Sequence, residues 1–175
     1  MILLITGASH TGKTFLAQKF LEKYHYPYYS IDHLKMGLIR AKYTNLSVED
    51  DDLLTNYLWP FIREMIKTAI ENHQNLIFEG CYVPFNWRSE LSEQYLSEIR
   101  FICLAMTEDY IRSNFDLIIH QESIIESRIY DSTFTSEYLI KENQKYIEGF
   151  TNHKEDIILI SEQFDSSIKR LLEMN

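Results

Sequence analysis

Cysteine is scarce. Among 175 residues there are two, Cys81 and Cys103, and they fall in no metal-ligand or redox spacing. That excludes a disulfide framework and a cysteine-based metal site, and it fits reduced thiols in a reducing compartment. Positive charge is short as well: 17 Lys and Arg face 26 Asp and Glu, for a net charge of -9. A surface that grips nucleic acid needs the opposite balance, so no nucleic-acid partner is expected. A local basic pocket is still allowed, because a few nearby groups set the field inside a pocket. No stretch approaches the roughly 20 consecutive apolar residues of a transmembrane helix, and no membrane partner is expected. Met1 to Ile5 is apolar but short, and it lacks the basic start of a signal peptide. The expected location is the cytoplasm. With three prolines and five glycines there is neither a low-complexity linker nor a repeat. The chain therefore reads as one domain over 1–175, and a hydrophobic content of 45% suffices for its core. A monomer and a homodimer both stay open.

What is present alternates between strand and helix. Ile2 to Thr6 is a short apolar run stopped by Gly7 and reads as a buried strand. From Lys13 the apolar residues fall at helical spacing. Tyr28 to Ile31 is aromatic and β-branched, which suits a second strand ending at Asp32. A helix is expected over Leu34 to Ala41. A long amphipathic helix follows from Leu53 to Ile70, with Pro60 as a candidate bend. The acidic run Glu49 to Asp52 precedes it and complements its positive end; a metal site is the other reading. Leu76 to Glu79 and Ile99 to Ala105 read as strands three and four. A short helix is expected from Trp87 to Leu96. Thr107 can cap the helix after strand four, since its hydroxyl can accept a backbone N–H. Ser136 to Phe150 reads as a helix, Ile157 to Ile160 as strand five, and Glu162 to Leu172 as a last helix. Repeated βα units imply a mostly parallel sheet covered on both faces, a three-layer α/β/α fold.

The strongest chemical signal lies between strand one and helix one. Gly7-Ala8-Ser9-His10-Thr11-Gly12-Lys13-Thr14 matches G-x-x-x-x-G-K-[ST]. Gly7 and Gly12 let the backbone curl without side-chain clash, which turns successive N–H groups toward an anion. The helix directs its positive end at the same place. Lys13 reaches β- and γ-phosphates, and the Thr14 hydroxyl ligates magnesium. His10 contributes only its backbone. ATP and Mg2+ are thus the expected ligands.

Four further signals are weaker singly. Asp32 sits at a strand end, where open parallel sheets bind ligands. There it serves as a general base on a substrate hydroxyl, or as a helix cap. Glu79, at the end of strand three, holds magnesium or a substrate group, or makes a local hydrogen bond. Arg112 and Arg128 are candidates to neutralise charge on a transferring phosphoryl group. Arg40 and Arg88 each follow a strand end and suit a phosphate or carboxylate on the acceptor; surface pairing is the alternative.

With these residues in place, the chain resembles the P-loop small-molecule kinases, the superfamily of adenylate, gluconate and shikimate kinases and zeta toxins. Asp32 to Arg40 and the run Glu79-Gly80-Cys81-Tyr82-Val83-Pro84 are also similar to segments of 2-phosphoglycerate kinases. The resemblance implies a five-stranded sheet in order 2-3-1-4-5. It also implies a substrate-side helical region over about 33–75 and an arginine-bearing lid over about 113–135. By position, Arg112 matches the arginine at the lid base, and Arg128 a lid arginine. There are departures: no Asp-Gly-Phe-Pro-Arg run, no aspartate of Walker B type on strand three, and no Asn-Lys-x-Asp for guanine. The resemblance implies an ATP-dependent kinase acting on a small metabolite; the net charge of -9, with Arg40 and Arg88 past two strand ends, points to an anionic one. A nucleoside or nucleotide kinase and a catalytically inactive nucleotide-binding module are the alternatives.

Overall fold

The computed structural model describes residues 1–121, 135–161, 169 and 171–173. Its centre is β1 (Ile2–Gly7), buried along its whole length, as a continuous apolar run requires of a strand covered on both faces. β1 pairs in parallel with β3 (Leu76–Glu79) on one side and β4 (Ile99–Met106) on the other. Beyond them lie β2 (Tyr28–Ser30) and β5 (Ile157–Ile160), giving the order β2-β3-β1-β4-β5. The expected three-layer α/β/α architecture and strand order are borne out.

The alternation of strand side chains builds the layers. Ile2 and Leu4 of β1 join a cluster with Leu54, Leu58, Ile62 and Ile66 of α3 (Asp51–Glu71) and with Tyr146 and Phe150 of α6 (Ser136–Asn152). Leu3 and Ile5 turn the other way, onto Leu16, Ala17 and Phe20 of α1 (Lys13–Tyr24) and onto Leu171. Full burial of each leucine, isoleucine or phenylalanine among them contributes about 1.5–3 kcal/mol. β1 is therefore held from both sides, and its carboxyl end is a fixed platform. The register aligns three strand ends: Ser30 lies opposite Glu79, Glu79 opposite Ile5, and Gly7 opposite Leu104.

Some element limits differ from expectation, each for a local reason. β2 stops at Ser30, and α2 (Ile31–Arg40) starts at once. Ile31 is fully buried as the first helical residue, tight against Gly80, where an added Cβ would lie 2.8 Å from the Ile31 Cβ. The N-cap position thus belongs to Ser30, and Asp32 falls inside the first turn. The helix expected over Trp87 to Leu96 is a 3-10 turn, Trp87–Glu90, and a short α4 (Glu93–Leu96), interrupted where Leu91 turns inward. α3 passes through an exposed Pro60 as one helix.

α5 (Glu108–Gln121) opens as the sequence suggests, with the Tyr110 N–H donating to Thr107 Oγ1 at 3.3 Å. It carries a non-helical Asn114 at φ -128°. α6 is capped by Thr135, whose side chain accepts the Tyr138 N–H at 3.1 Å. Of the expected lid, 122–134 lie outside the described residues, and Arg128 with them. So does most of the helix expected over Glu162 to Leu172; residues 171–173 are helical.

Candidate active site

The glycine loop joins the fixed end of β1 to α1. Gly7 has φ 145°, and a Cβ there would sit 2.1 Å from the Leu104 carbonyl oxygen of β4. Only glycine allows the two strands that approach. Gly12 takes φ 81° at the N-cap of α1, and His10 is also left-handed at φ 61°. Inside the loop, Thr11 Oγ1 donates to the Ala8 carbonyl at 2.8 Å, and Lys13 Nζ donates to the same oxygen at 2.7 Å. Lys13 is buried. Burial alone would lower its pKa. Cys81, Glu79, Glu142 and Asp32 around it outweigh that and raise it above the ordinary lysine value. The result is a cation fixed at the loop.

Thr14, the next residue of α1, donates its hydroxyl to Glu79 Oε2 at 3.2 Å. Glu79 is 1% exposed. The turn behind it is tied to β1 by the Gly80 N–H on the Ile5 carbonyl at 3.1 Å and by Thr6 Oγ1 on the Gly80 carbonyl at 2.9 Å. A hydroxyl and a carboxylate side by side fit magnesium, which takes one or two protein oxygens and completes its shell with water and phosphate. No group of three or more His, Cys, Asp or Glu among the described residues could hold a metal unaided.

From the loop a cleft of about 1780 Å³ runs across the carboxyl ends of the strands to α2, α3 and α6. Pockets for one ligand occupy about 300–1,000 Å³, so this cleft has room for two. Lys13, Thr14, Asp32 and Glu79 all line it. Asp32 is held from the side: Lys35 Nζ donates to its Oδ1 at 2.8 Å and to Tyr82 Oη at 2.7 Å. The Tyr82 hydroxyl in turn donates to Asp51 Oδ1 at 3.0 Å. Asp51 is the first residue of α3. The acidic run therefore does more than complement a helix end: Asp51 ties α3 to the wall of the cleft, and Asp52 pairs with Lys145 of α6 at 2.7 Å.

The arginines scatter. Arg40 is exposed on the cleft wall. Arg88 is not on that wall: its guanidinium lies 4.5 Å over the Trp87 ring and forms a two-point ion pair with Glu155, one arm at 3.0 Å. Glu155 is buried, so this pair fixes the cation. The two guanidinium groups expected in one crevice are thus not brought together. Glu90, the surface acid within reach in sequence, pairs with Arg63 instead. Arg112 is exposed, outside the lining, and paired with Glu108 at 2.9 Å and Glu137 at 3.4 Å.

Three site residues went unread in the sequence. Lys35 was legible, since a lysine three residues after Asp32 faces it on a helix. Tyr82 stood within the Glu79 segment, but its partners come from other elements. Glu142 of α6, whose Oε1 accepts the Ser9 N–H at 3.1 Å, carried no local signal at all.

No protein-family model matches the chain, and no curated protein matches it. Solved structures do. A shikimate kinase from Bacteroides thetaiotaomicron superposes with a TM-score of 0.60 at 16% identity, covering 99% of this chain and 97% of that one. A sugar kinase from Janibacter sp. HTCC2649 gives 0.55 at 15% identity, with 98% and 91% covered. A gluconokinase from Sinorhizobium meliloti 1021 gives 0.51 at 15% identity, with 98% and 93% covered. At such identities the likeness is one of fold, shared over nearly the full length of each chain.

Proposed function

We propose that the chain is an ATP-dependent phosphotransferase that moves the γ-phosphate of magnesium-bound ATP to a hydroxyl of a small metabolite. The observation that carries this reading is the shared cleft: buried Lys13 on the glycine loop, the Thr14–Glu79 oxygen pair and Asp32 all line it. Gly7 to Gly12 wrap the phosphates with backbone N–H groups, and Lys13 neutralises them. Thr14 and Glu79 hold magnesium, which supplies charge neutralisation between the phosphates. Asp32 orients the acceptor hydroxyl and takes its proton as the oxygen attacks phosphorus. Lys35 and Tyr82 keep that carboxylate in place.

Arg112 and Arg128 are the lid arginines of this reading. The ion pairs of Arg112 are exposed and screened by solvent, so releasing it toward a phosphate costs little. The acceptor is small, hydrophilic and anionic, with Arg40 the guanidinium that reaches it. A nucleotide kinase using both Arg40 and Arg88 on the acceptor phosphate has less support, because Glu155 holds Arg88 off the cleft.

The experiment is calorimetry with ATP and Mg2+ on the parent and Lys13→Ala, followed by an ATP-consumption panel. The panel covers hydroxy acids, phosphorylated sugars and glycerates, nucleosides and nucleoside monophosphates. Binding weakened on the order of 10²-fold in Lys13→Ala, with turnover on at least one hydroxyl compound, supports the reading. Tight ATP binding with no turnover on any compound would make the chain a nucleotide-binding module. Equal ATP affinity in parent and variant would remove the phosphate site itself.

A further inference from the structure

One acid reaches the glycine loop from the far end of the chain. Glu142 of α6 lies 133 positions from Ser9, and its Oε1 accepts both the Ser9 N–H at 3.1 Å and the Ser9 hydroxyl at 2.9 Å. The second oxygen, Oε2, is buried and has no hydrogen-bond partner among the described residues. A carboxylate oxygen accepts the same N–H and O–H donors as a phosphate oxygen. Here it does so on the loop whose N–H groups are arranged for an anion, within the electrostatic reach of Lys13. The pairing is not an ordinary ion pair, since the Lys13 ammonium donates to the Ala8 carbonyl. Nor does it cap a helix. It places a negative group inside the low-dielectric mouth of the loop, where a second anion is repelled strongly.

We propose that Glu142 is an internal competitor for the phosphates: α6 seats it on Ser9, and the polyphosphate of a nucleotide displaces it. This rests on the reading of the glycine loop as a phosphate site and on nothing about the acceptor. Repulsion grows with the charge of the ligand, so the residue sets affinity in order of phosphate number. α6 also supplies Tyr138, Lys145 and Tyr146 to the cleft wall. Displacing Glu142 therefore couples nucleotide arrival to the acceptor side of the site.

The test is calorimetry of ATP, ADP and AMP, each with Mg2+, on the parent, Glu142→Gln and Glu142→Ala. Glutamine keeps the shape and removes the charge; alanine also frees Ser9. Melting temperatures of both are measured beside the parent. Both variants are expected to bind ATP about tenfold more tightly, ADP less so, and AMP almost unchanged. A folded variant that binds ATP equally or more weakly overturns the proposal. So does an equal gain for all three nucleotides, which would mark a general rearrangement. A parent that binds no nucleotide at all defeats the phosphate-site reading and this inference with it. Parent binding with unaltered variants defeats the inference alone.

Discussion

Thr14 and Glu79, 65 positions apart in the chain, meet with Oγ1 and Oε2 at 3.2 Å. The register of the sheet makes the contact: Glu79 lies opposite Ile5 on β1, two residues before the glycine loop begins. If this oxygen pair takes magnesium, Glu79→Gln should raise the Mg2+ concentration needed for half-maximal ATP binding by roughly 10-fold or more. Binding of metal-free ATP should not weaken. A Mg2+ titration monitored by calorimetry reads both. An unchanged magnesium requirement would leave Glu79 a structural acid.

Asp32→Asn should retain ATP affinity and lose phosphoryl transfer by roughly 10²-fold or more, as for a lost general base. Single-turnover rates with the best acceptor from the panel give the number. Because Ser30 holds the N-cap position, little stability should go with the charge. A variant that melts early yet transfers phosphate at the parent rate would make Asp32 a scaffold for Lys35.

Gly7→Ala should cost about 3 kcal/mol or more of folding stability. Its Cβ would press on the Leu104 carbonyl at 2.1 Å, and Leu104 is fully buried in the middle of the sheet, so neither strand can yield. Urea denaturation measures the loss. Gly37→Ala is the control: a Cβ there meets nothing within 4 Å, and alanine should be neutral or stabilising in that helix.

Burial raises the Glu142 carboxyl above its ordinary value, against the pull of Lys13 and the Ser9 bonds, and Asp51 raises it further. A carboxyl with a higher pKa folded than unfolded favours the fold while protonated. That contribution is present below the unfolded value, about 4.3, and is lost as pH rises through the raised one. Of the other groups facing it, Lys13, Tyr138 and Tyr146 are raised, and the Cys81 thiol is pushed up to about 11 by burial. They keep one protonation state through that window. Glu142→Gln should therefore melt near the parent at pH 4 and above it at pH 7. A constant difference in melting temperature across that range would deny the titration.

The glycine loop was legible because its chemistry is local. Gly7, Gly12, Lys13 and Thr14 are set by positive φ, close approach and the start of a helix, all of which act over a few residues. The strands were legible for the same reason, since an apolar run between Gly or polar turns has few other uses. Asp32 was picked out by position, but the helix cap offered for it falls to Ser30: the sequence cannot say that Ile31 turns inward as a helix residue, because Gly80, which it packs against, follows another strand. Arg40 and Arg88 looked alike along the chain. Folding separated them, putting one on the cleft and the other on buried Glu155.

By itself, then, the sequence determined the α/β class, the glycine loop and the candidate acids at the strand ends. Backbone sterics, hydrophobic period and helix capping are short-range, and they leave marks on neighbouring residues. Tertiary structure alone decided which charges meet. Glu142 reaches Ser9, Lys35 bridges Asp32 to Tyr82, and Asp51 closes that chain from a third element. Such contacts depend on where α3 and α6 pack against β1 and on the parallel register. Hydrogen bonds need contact distance and charge pairs act over roughly 10 Å, whereas the residues that share them lie far apart along the chain.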